Sequence, residues 1–392
     1  MRKNFKMNTI SNFEMKVKII HGSGAIEKIG EYLKGSGKTV LVITDPLIVK
    51  VGIWNKIKNV LDKSDISYKL FCEVEPEPSI EVVERAVTFF GSGRERVFLA
   101  IGGGSSIDTA KAVNMRLAEP SNKIIDFVGK NWCFKVSPDP IIAVPTTAGT
   151  GSEVGNSAVI TNPMTKVKMC LVSDQILPSV SILDPDLLAS IPSHVAAATG
   201  IDALTHAVES YLSNESTPLT ESMSLAAIKL IGANLRSFVS DPRRNSDARE
   251  KMQLASTLAG LSMNVCGLGL DHALSEPLGG KYHISHGIAC AICFLPILKY
   301  NYIASEKKYI DIGEALDPSI NNLSKRDKGI YMIQLIKDLM DDIEIPYTMK
   351  SLGIKYEFDD KLVAIAMKMH SPKVNPRVVD RKILEKLFKE IT

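Results

Sequence analysis

Several features are missing from this 392-residue chain, and each absence closes off a class of protein. No uncharged apolar run reaches the roughly 18 residues needed to span a bilayer, so no membrane partner is expected. No basic cluster is present: 47 Lys and Arg against 44 Asp and Glu leave a formal charge of only +3. That leaves no electrostatic footprint for a phosphate backbone, and nucleic acid is not an expected partner. The opening stretch MRKNFKMNTISNFEMKV has basic residues but neither an apolar segment nor a small-residue cleavage site behind them, which points to a cytoplasmic protein. Nor is there a disulfide framework. The six cysteines, Cys72, Cys133, Cys170, Cys266, Cys290 and Cys293, follow no repeating spacing. Cys290-x-x-Cys293 lies inside the apolar run GIACAICFLPIL with no second such pair, so it reads as two buried free thiols. Internal repeats and low-complexity segments are likewise absent.

What is there fits a soluble globular enzyme: 45% hydrophobic and 23% charged residues, in a chain too long for one ordinary core. Up to about residue 190, continuous apolar segments such as Thr39–Thr44, Arg96–Ile101 and Ile141–Val144 alternate with helical patterns, as a parallel sheet covered on both faces requires. Past Ile191-Pro192 the pattern becomes helical, in VAAATGIDALTHAVESYL, LTESMSLAAIKLIGANL and DAREKMQLASTLAGLSMN. The expected organisation is an α/β domain over 1–190 followed by an all-helical domain over 191–392.

The segment RVFLAIGGGSSIDTAKAV runs from a buried strand through Gly102-Gly103-Gly104-Ser105-Ser106 into a helix with Asp108 in its first turn. Glycines let the backbone approach a ligand, and the free amides of a helix start favour an anion such as a pyrophosphate. The pattern is not GxGxxG, but two further strand ends converge with it. Asp45 closes the strand VLVIT, where a carboxylate accepts hydrogen bonds from a ribose and repels a 2′-phosphate, favouring NAD over NADP. Pro145-Thr146-Thr147-Ala148-Gly149-Thr150-Gly151-Ser152-Glu153 supplies hydroxyls and flexible backbone at another.

Four of the seven histidines fall in two short segments flanked by small and apolar residues. Asp202 and His206 lie four apart in TGIDALTHAVES and share one helix face. His272, His283 and His286 follow in GLGLDHALSEPLGGKYHISHGIACAI. A carboxylate with three imidazoles makes a mixed site suited to Fe2+ or Zn2+, with a position left for a substrate oxygen.

At this point the chain resembles the iron-containing (group III) alcohol dehydrogenases, the family of lactaldehyde reductase and 1,3-propanediol dehydrogenase. GGGSSIDTAKA, PTTAGTGSEV, TGIDALTHAVE and HALSEPLGGKYHISHG look like its successive signatures, in its order. The resemblance implies a dehydroquinate synthase-like architecture: a Rossmann-like nucleotide-binding domain, a helical metal domain, and the active site in the cleft between them. It implies metal ligation by Asp202, His206, His272 and His286. It also implies contacts of NAD(H) with Asp45, Gly103, Gly104, Ser105, Asp108, Thr146, Thr147, Thr150, Lys168 and Leu187. The choice of His286 over His283 comes from the resemblance. Two positions depart from it: Glu276 stands where many relatives have a second histidine, and Glu77 where they commonly have asparagine.

The expected function is reversible hydride transfer between NAD(H) and a small primary alcohol or aldehyde, by a homodimer or larger homo-oligomer. Glu276 is a candidate participant in proton transfer, as is His283, and Phe127, Tyr282 and His283 are candidate pocket walls, with Lys281 a candidate counter-charge. The alternatives are a glycerol dehydrogenase or dehydroquinate synthase-like enzyme, and a non-catalytic NAD-binding protein.

Overall fold

The computed structural model describes residues 13–34, 37–93, 95–129, 131–165 and 167–391. The first twelve residues, on which part of the reading of the N-terminus rests, lie outside them. Six parallel strands form the central sheet: β1 (Lys18–His21), β2 (Thr39–Ile43), β3 (Tyr68–Phe71), β4 (Arg96–Gly102), β5 (Ile141–Pro145) and β8 (Val180–Leu183). Their order is β1-β8-β5-β4-β2-β3. Between β5 and β8 the chain makes an antiparallel hairpin of β6 (Ser157–Asn162) and β7 (Val167–Val172), which the sequence patterning did not separate from the parallel strands.

The strands are apolar on both faces because both are covered. Val40, Val42, Leu99, Ile101, Ile142 and Val144 enter one core, and Leu41, Ile43, Phe98, Ala100, Ile141 and Ala143 enter the other. The first core does not stop at the sheet. It continues through Leu188 into Ile201, Leu204 and Val208 of helix Ser193–Leu212 and on to Ile228 and Leu235 of helix Pro218–Ser240. From residue 193 onward the described residues are helices and connecting turns. The chain is therefore an α/β sheet followed by a helix-rich region, as the patterning implies.

Helix His286–Asn301 belongs to a stretch, 286–304, that is apolar and long enough by composition to cross a membrane, but 61% of its apolar window is buried inside the protein. Ile292, Cys293 and Ile297 of this helix pack against Leu274, Leu278, Leu362 and Phe388. It is a core helix.

The strand order reverses between β2 and β4: the chain leaves β2 for β3 on one side and returns to β4 on the other. Ligands of open α/β sheets bind at such a switch point, beyond the carboxyl ends of the strands. Asp45 follows β2 there and the glycine turn follows β4. One buried cation braces this region. Lys111 donates to the carbonyls of Ser152 (2.7 Å) and Ser157 (2.8 Å) and to Ser152 Oγ (3.0 Å), with Asp108 at 4.0 Å. Burial pushes its pKa down to about 8, against the opposing charges of Asp108 and Glu153. Replacing it strands a buried carboxylate and two carbonyls, so Lys111→Met is expected to cost about 3–5 kcal/mol and to lower Tm by roughly 10 °C in thermal unfolding.

Candidate active site

The nucleotide side of the site is built by three loops that interlock. Gly103 caps helix Gly104–Ala118 without a side-chain bond, leaving the helix start open to an anion. A Cβ on Gly103 would meet Thr147 at 3.3 Å, and one on Gly104 would meet Thr150 at 2.8 Å. These glycines therefore admit the neighbouring threonine loop as well as a ligand. Thr146 ties that loop to β4 through its amide, which donates to the Gly102 carbonyl at 3.0 Å. Asp45 is held by the Ile48 amide (3.1 Å) and by Ser106 Oγ (3.4 Å), bringing it to the glycine turn. Asp108 turns inward: it accepts from Ser152 Oγ and from the amide of Val159 (2.9 Å), fastening β6 to the turn. Leu187 is buried at the end of β8, beside the same core. Lys168 on β7 is paired with Glu77 at 2.7 Å, so the residue that departs from the family pattern occupies an expected cofactor residue.

Across the cleft, Asp202 and His206 are one turn apart on helix Ser193–Leu212, His272 lies on helix Leu270–Tyr282, and His286 opens the next helix. Asp202 Oδ1 is 3.5 Å from His206 Nε2 and 3.4 Å from His286 Nε2. Two donors of a tetrahedral site with bonds of 2.0–2.2 Å stand about 3.3–3.6 Å apart, so these separations suit a shared metal. The His206 and His272 rings stack with centroids 4.9 Å apart, and His272 meets His286 edge-on at 5.2 Å.

The orientation of two imidazoles is fixed from behind. The Gly149 carbonyl can only accept, so His206 Nδ1–H donates to it at 3.2 Å and Nε2 faces the cluster. Likewise His272 Nδ1–H donates to Glu209 Oε2 at 2.7 Å. His272 Nε2 is then left buried with no hydrogen-bond partner, the signature of an atom aimed at a missing ligand. Glu209 also accepts from the amides of Gly269 (2.9 Å) and Asp271 (2.6 Å). A Cβ on Gly269 would stand 2.7 Å from Glu209 Oε1, which explains that glycine.

Charge follows the geometry. Burial works against the Asp202 carboxylate, but His206, His286 and His272 outweigh it and hold its pKa below the usual value. Burial pushes His206 down, and His286 to about 3, despite Asp202 beside them. For His272, Glu209 overcomes burial and lifts it to about 9. Burial and the Glu209 charge raise the Asp271 pKa well above its ordinary value. Burial also raises Glu276, with His272 and Lys168 drawing it partly back.

The structure separates the histidines that spacing left open. His286 joins the cluster, whereas His283 is exposed at the left-handed end of its helix (φ 55°). His21, His194 and His370 are exposed and elsewhere. Several expectations about the pocket change. Phe127 is fully buried against Trp132 in the second core and is no pocket wall. The Tyr282 hydroxyl is bonded to the Glu357 carbonyl at 3.1 Å, and Lys281 pairs with Asp359 at 3.0 Å, so the positive charges that answer Glu276 are those of His272 and Lys168. Glu209 was missed, although it lies three residues after His206 on a buried helix where a carboxylate needs a partner. Cys290 was read only as a buried thiol. Its Sγ lies 3.8 Å from His286 Nε2 and 3.9 Å from Asp202 Oδ1.

Residues 16–185 match the family described as iron-containing alcohol dehydrogenase, and residues 196–392 match the C-terminal part of the Fe-containing alcohol dehydrogenase family. The chain belongs to the iron-containing alcohol dehydrogenase family. Among its relatives, 1,3-propanediol dehydrogenase of Citrobacter freundii is 37% identical over 372 residues, 94% of this chain and 95% of that protein. A crystal structure of 1,3-propanediol oxidoreductase superimposes with a TM-score of 0.91 at 36% identity, over 97% of this chain and all of the other. Sulfoacetaldehyde reductase from Bifidobacterium kashiwanohense, solved in complex with NAD+, superimposes with a TM-score of 0.86 at 29% identity, over 98% of this chain and 99% of the other.

Loss of a partner that orients a metal-binding imidazole costs 10–100-fold in affinity. Glu209→Gln is accordingly expected to weaken Zn2+ binding by about that factor in a chelator competition, with the far-ultraviolet circular dichroism unchanged.

Proposed function

We propose that the protein is a cytoplasmic, metal-dependent alcohol dehydrogenase and aldehyde reductase that uses NAD(H) on a small primary alcohol or aldehyde, acting as a homodimer or larger homo-oligomer. In this reading the chain divides near residue 190 into a nucleotide domain, 1–190, and a metal domain, 191–392. The division is supported by the last sheet strand ending at Leu183 and by the separate family matches to 16–185 and 196–392. Asp202, His206, His272 and His286 hold Fe2+ or Zn2+. One observation carries the assignment: four donors converge from three helices, and the two imidazoles held by Gly149 and Glu209 have only Nε2 left to offer.

When bound, the divalent cation supplies Lewis acidity toward the substrate oxygen and NAD(H) supplies or accepts the hydride. The chain's own residues do the rest. Gly103, Gly104 and Ser105 offer the open helix start to the pyrophosphate, and Thr146, Thr147 and Thr150 line the adjoining loop. Asp108 holds that loop in place. Asp45 binds the adenosine ribose and excludes a 2′-phosphate, which supports NAD as the cofactor. Lys168 and Leu187 complete the cofactor side, with Lys168 held by Glu77. Glu276 stands one helical turn after His272 on helix Leu270–Tyr282, and burial raises its pKa. A carboxylate here disfavours an anionic substrate, but Lys168 offsets part of that. Neither a glycerol dehydrogenase or dehydroquinate synthase reading nor a non-catalytic one has a particular observation in its favour, since all four proposed ligands are present.

The test is oxidation of NADH with a panel of short aldehydes after reconstitution with Fe2+ or Zn2+. Turnover is expected with at least one aldehyde, and none with any would reject the proposal. His272→Ala should lower kcat/KM at least a thousandfold in metal-loaded protein, and unchanged turnover would rule out the metal mechanism. Asp45→Ser should shift the NAD to NADP preference about tenfold toward NADP, roughly 1.4 kcal/mol, measured as the ratio of kcat/KM values.

A further inference from the structure

Cys290 is the one nucleophilic side chain at the metal cluster with no role in the dehydrogenase reading. It stands one helical turn after His286 on the same helix, so its side chain shares that face. One donor atom from each of Asp202, His272, His286 and Cys290 lies within 4.8 Å of all the others. With a metal–sulfur bond near 2.3 Å and a metal–nitrogen bond near 2.05 Å, sulfur and nitrogen at a tetrahedral angle stand about 3.6 Å apart. The observed 3.8 Å from Sγ to His286 Nε2 and 3.9 Å to Asp202 Oδ1 are a few tenths of an ångström longer, a gap that a small side-chain shift closes. The thiol also lies 3.5 Å from Ser275 Oγ and beside the Asp271 carboxylate. An independent observation marks the space between these atoms as a ligand site: His272, 1% exposed, presents its Nε2 there with no partner.

We propose that Cys290 is a thiolate donor to the metal beside Asp202, His272 and His286, giving a site with one sulfur that favours a borderline-soft cation such as Zn2+ over Fe2+. The inference rests on the metal site of the proposed function. As the sulfur–metal bond forms, the S–H bond breaks and its proton leaves to solvent. Thiolate and Asp202 together then balance the two positive charges of the cation. A soft thiolate adds more to Zn2+ than to Fe2+, which shifts selectivity between them.

Co2+ is the probe, since it takes the same ligands and reports them by its absorption. Full-length protein loaded with Co2+ is expected to show visible d–d bands together with a near-ultraviolet sulfur-to-cobalt charge-transfer band. Cys290→Ser and Cys290→Ala should lose the charge-transfer band and keep the d–d bands, while Cys293→Ser keeps both. In parallel, Cys290→Ser should release Zn2+ to a chelator about tenfold faster than wild type and release Fe2+ with little change. A wild-type spectrum with d–d bands but no charge-transfer band, or a band that survives in both Cys290 variants, overturns the thiolate and leaves the carboxylate and histidine site standing. Absence of bound Co2+ altogether would overturn both readings.

Discussion

The active site depends on a single close approach, that of the Gly149 backbone to helix Ser193–Leu212. A Cβ on Gly149 would stand 2.8 Å from Thr199 Cβ and 2.9 Å from its carbonyl oxygen, so no side chain fits there. At this distance the Gly149 carbonyl reaches His206 Nδ1 and fixes which ring nitrogen is free. The same loop continues to Gly151, whose own Cβ would meet Gly260 Cα at 2.6 Å on helix Ser246–Cys266. One strand-end loop from the nucleotide side is thus pressed between two helices of the metal side.

That arrangement explains why buried charge is tolerated here. Asp202, Glu209, Asp271, His206 and His272 are buried on a few turns of two helices, and the partly exposed His286 opens a third. Isolated, each would carry a large desolvation penalty. They are arranged so that charges answer one another: Glu209 by His272 and two backbone amides, and Asp202 by the imidazoles. Among the described residues of the cluster, His272 Nε2 and both carboxylate oxygens of Asp271 are buried without a hydrogen-bond partner, and a cation suits the imidazole nitrogen. The neighbouring Lys111 network follows the same logic on the nucleotide side, where a buried ammonium gathers carbonyls from the loop and from β6.

The local part of this structure was legible in the residues. Apolar strands ending in Asp45, Gly102 and Pro145, and the Asp202 and His206 pair on one helix face, follow from periodicity and spacing that operate within a few residues. Family resemblance then selected His286. What escaped was non-local or ambiguous in type. Glu209 looked like any helix carboxylate until Gly269, Asp271 and His272 closed on it from some 60 residues away. Phe127 carried the right chemistry for a pocket wall, but packing put it in a core. The hairpin of β6 and β7 was not legible in the residues, because alternating apolar residues do not encode which strand is the partner.

By itself, the sequence determined the α/β then helical order of the chain, the glycine turn at a strand end, and the ligand types available for a metal. These are set by hydrophobic period, backbone freedom and side-chain chemistry, all short-range properties. Only the tertiary structure decided which nitrogen each histidine presents, that Lys168 is paired with Glu77 while Lys281 is spent on Asp359, and that Cys290 faces Asp202 and His286. Those outcomes depend on distances between helices and loops far apart in the chain, which no local pattern specifies.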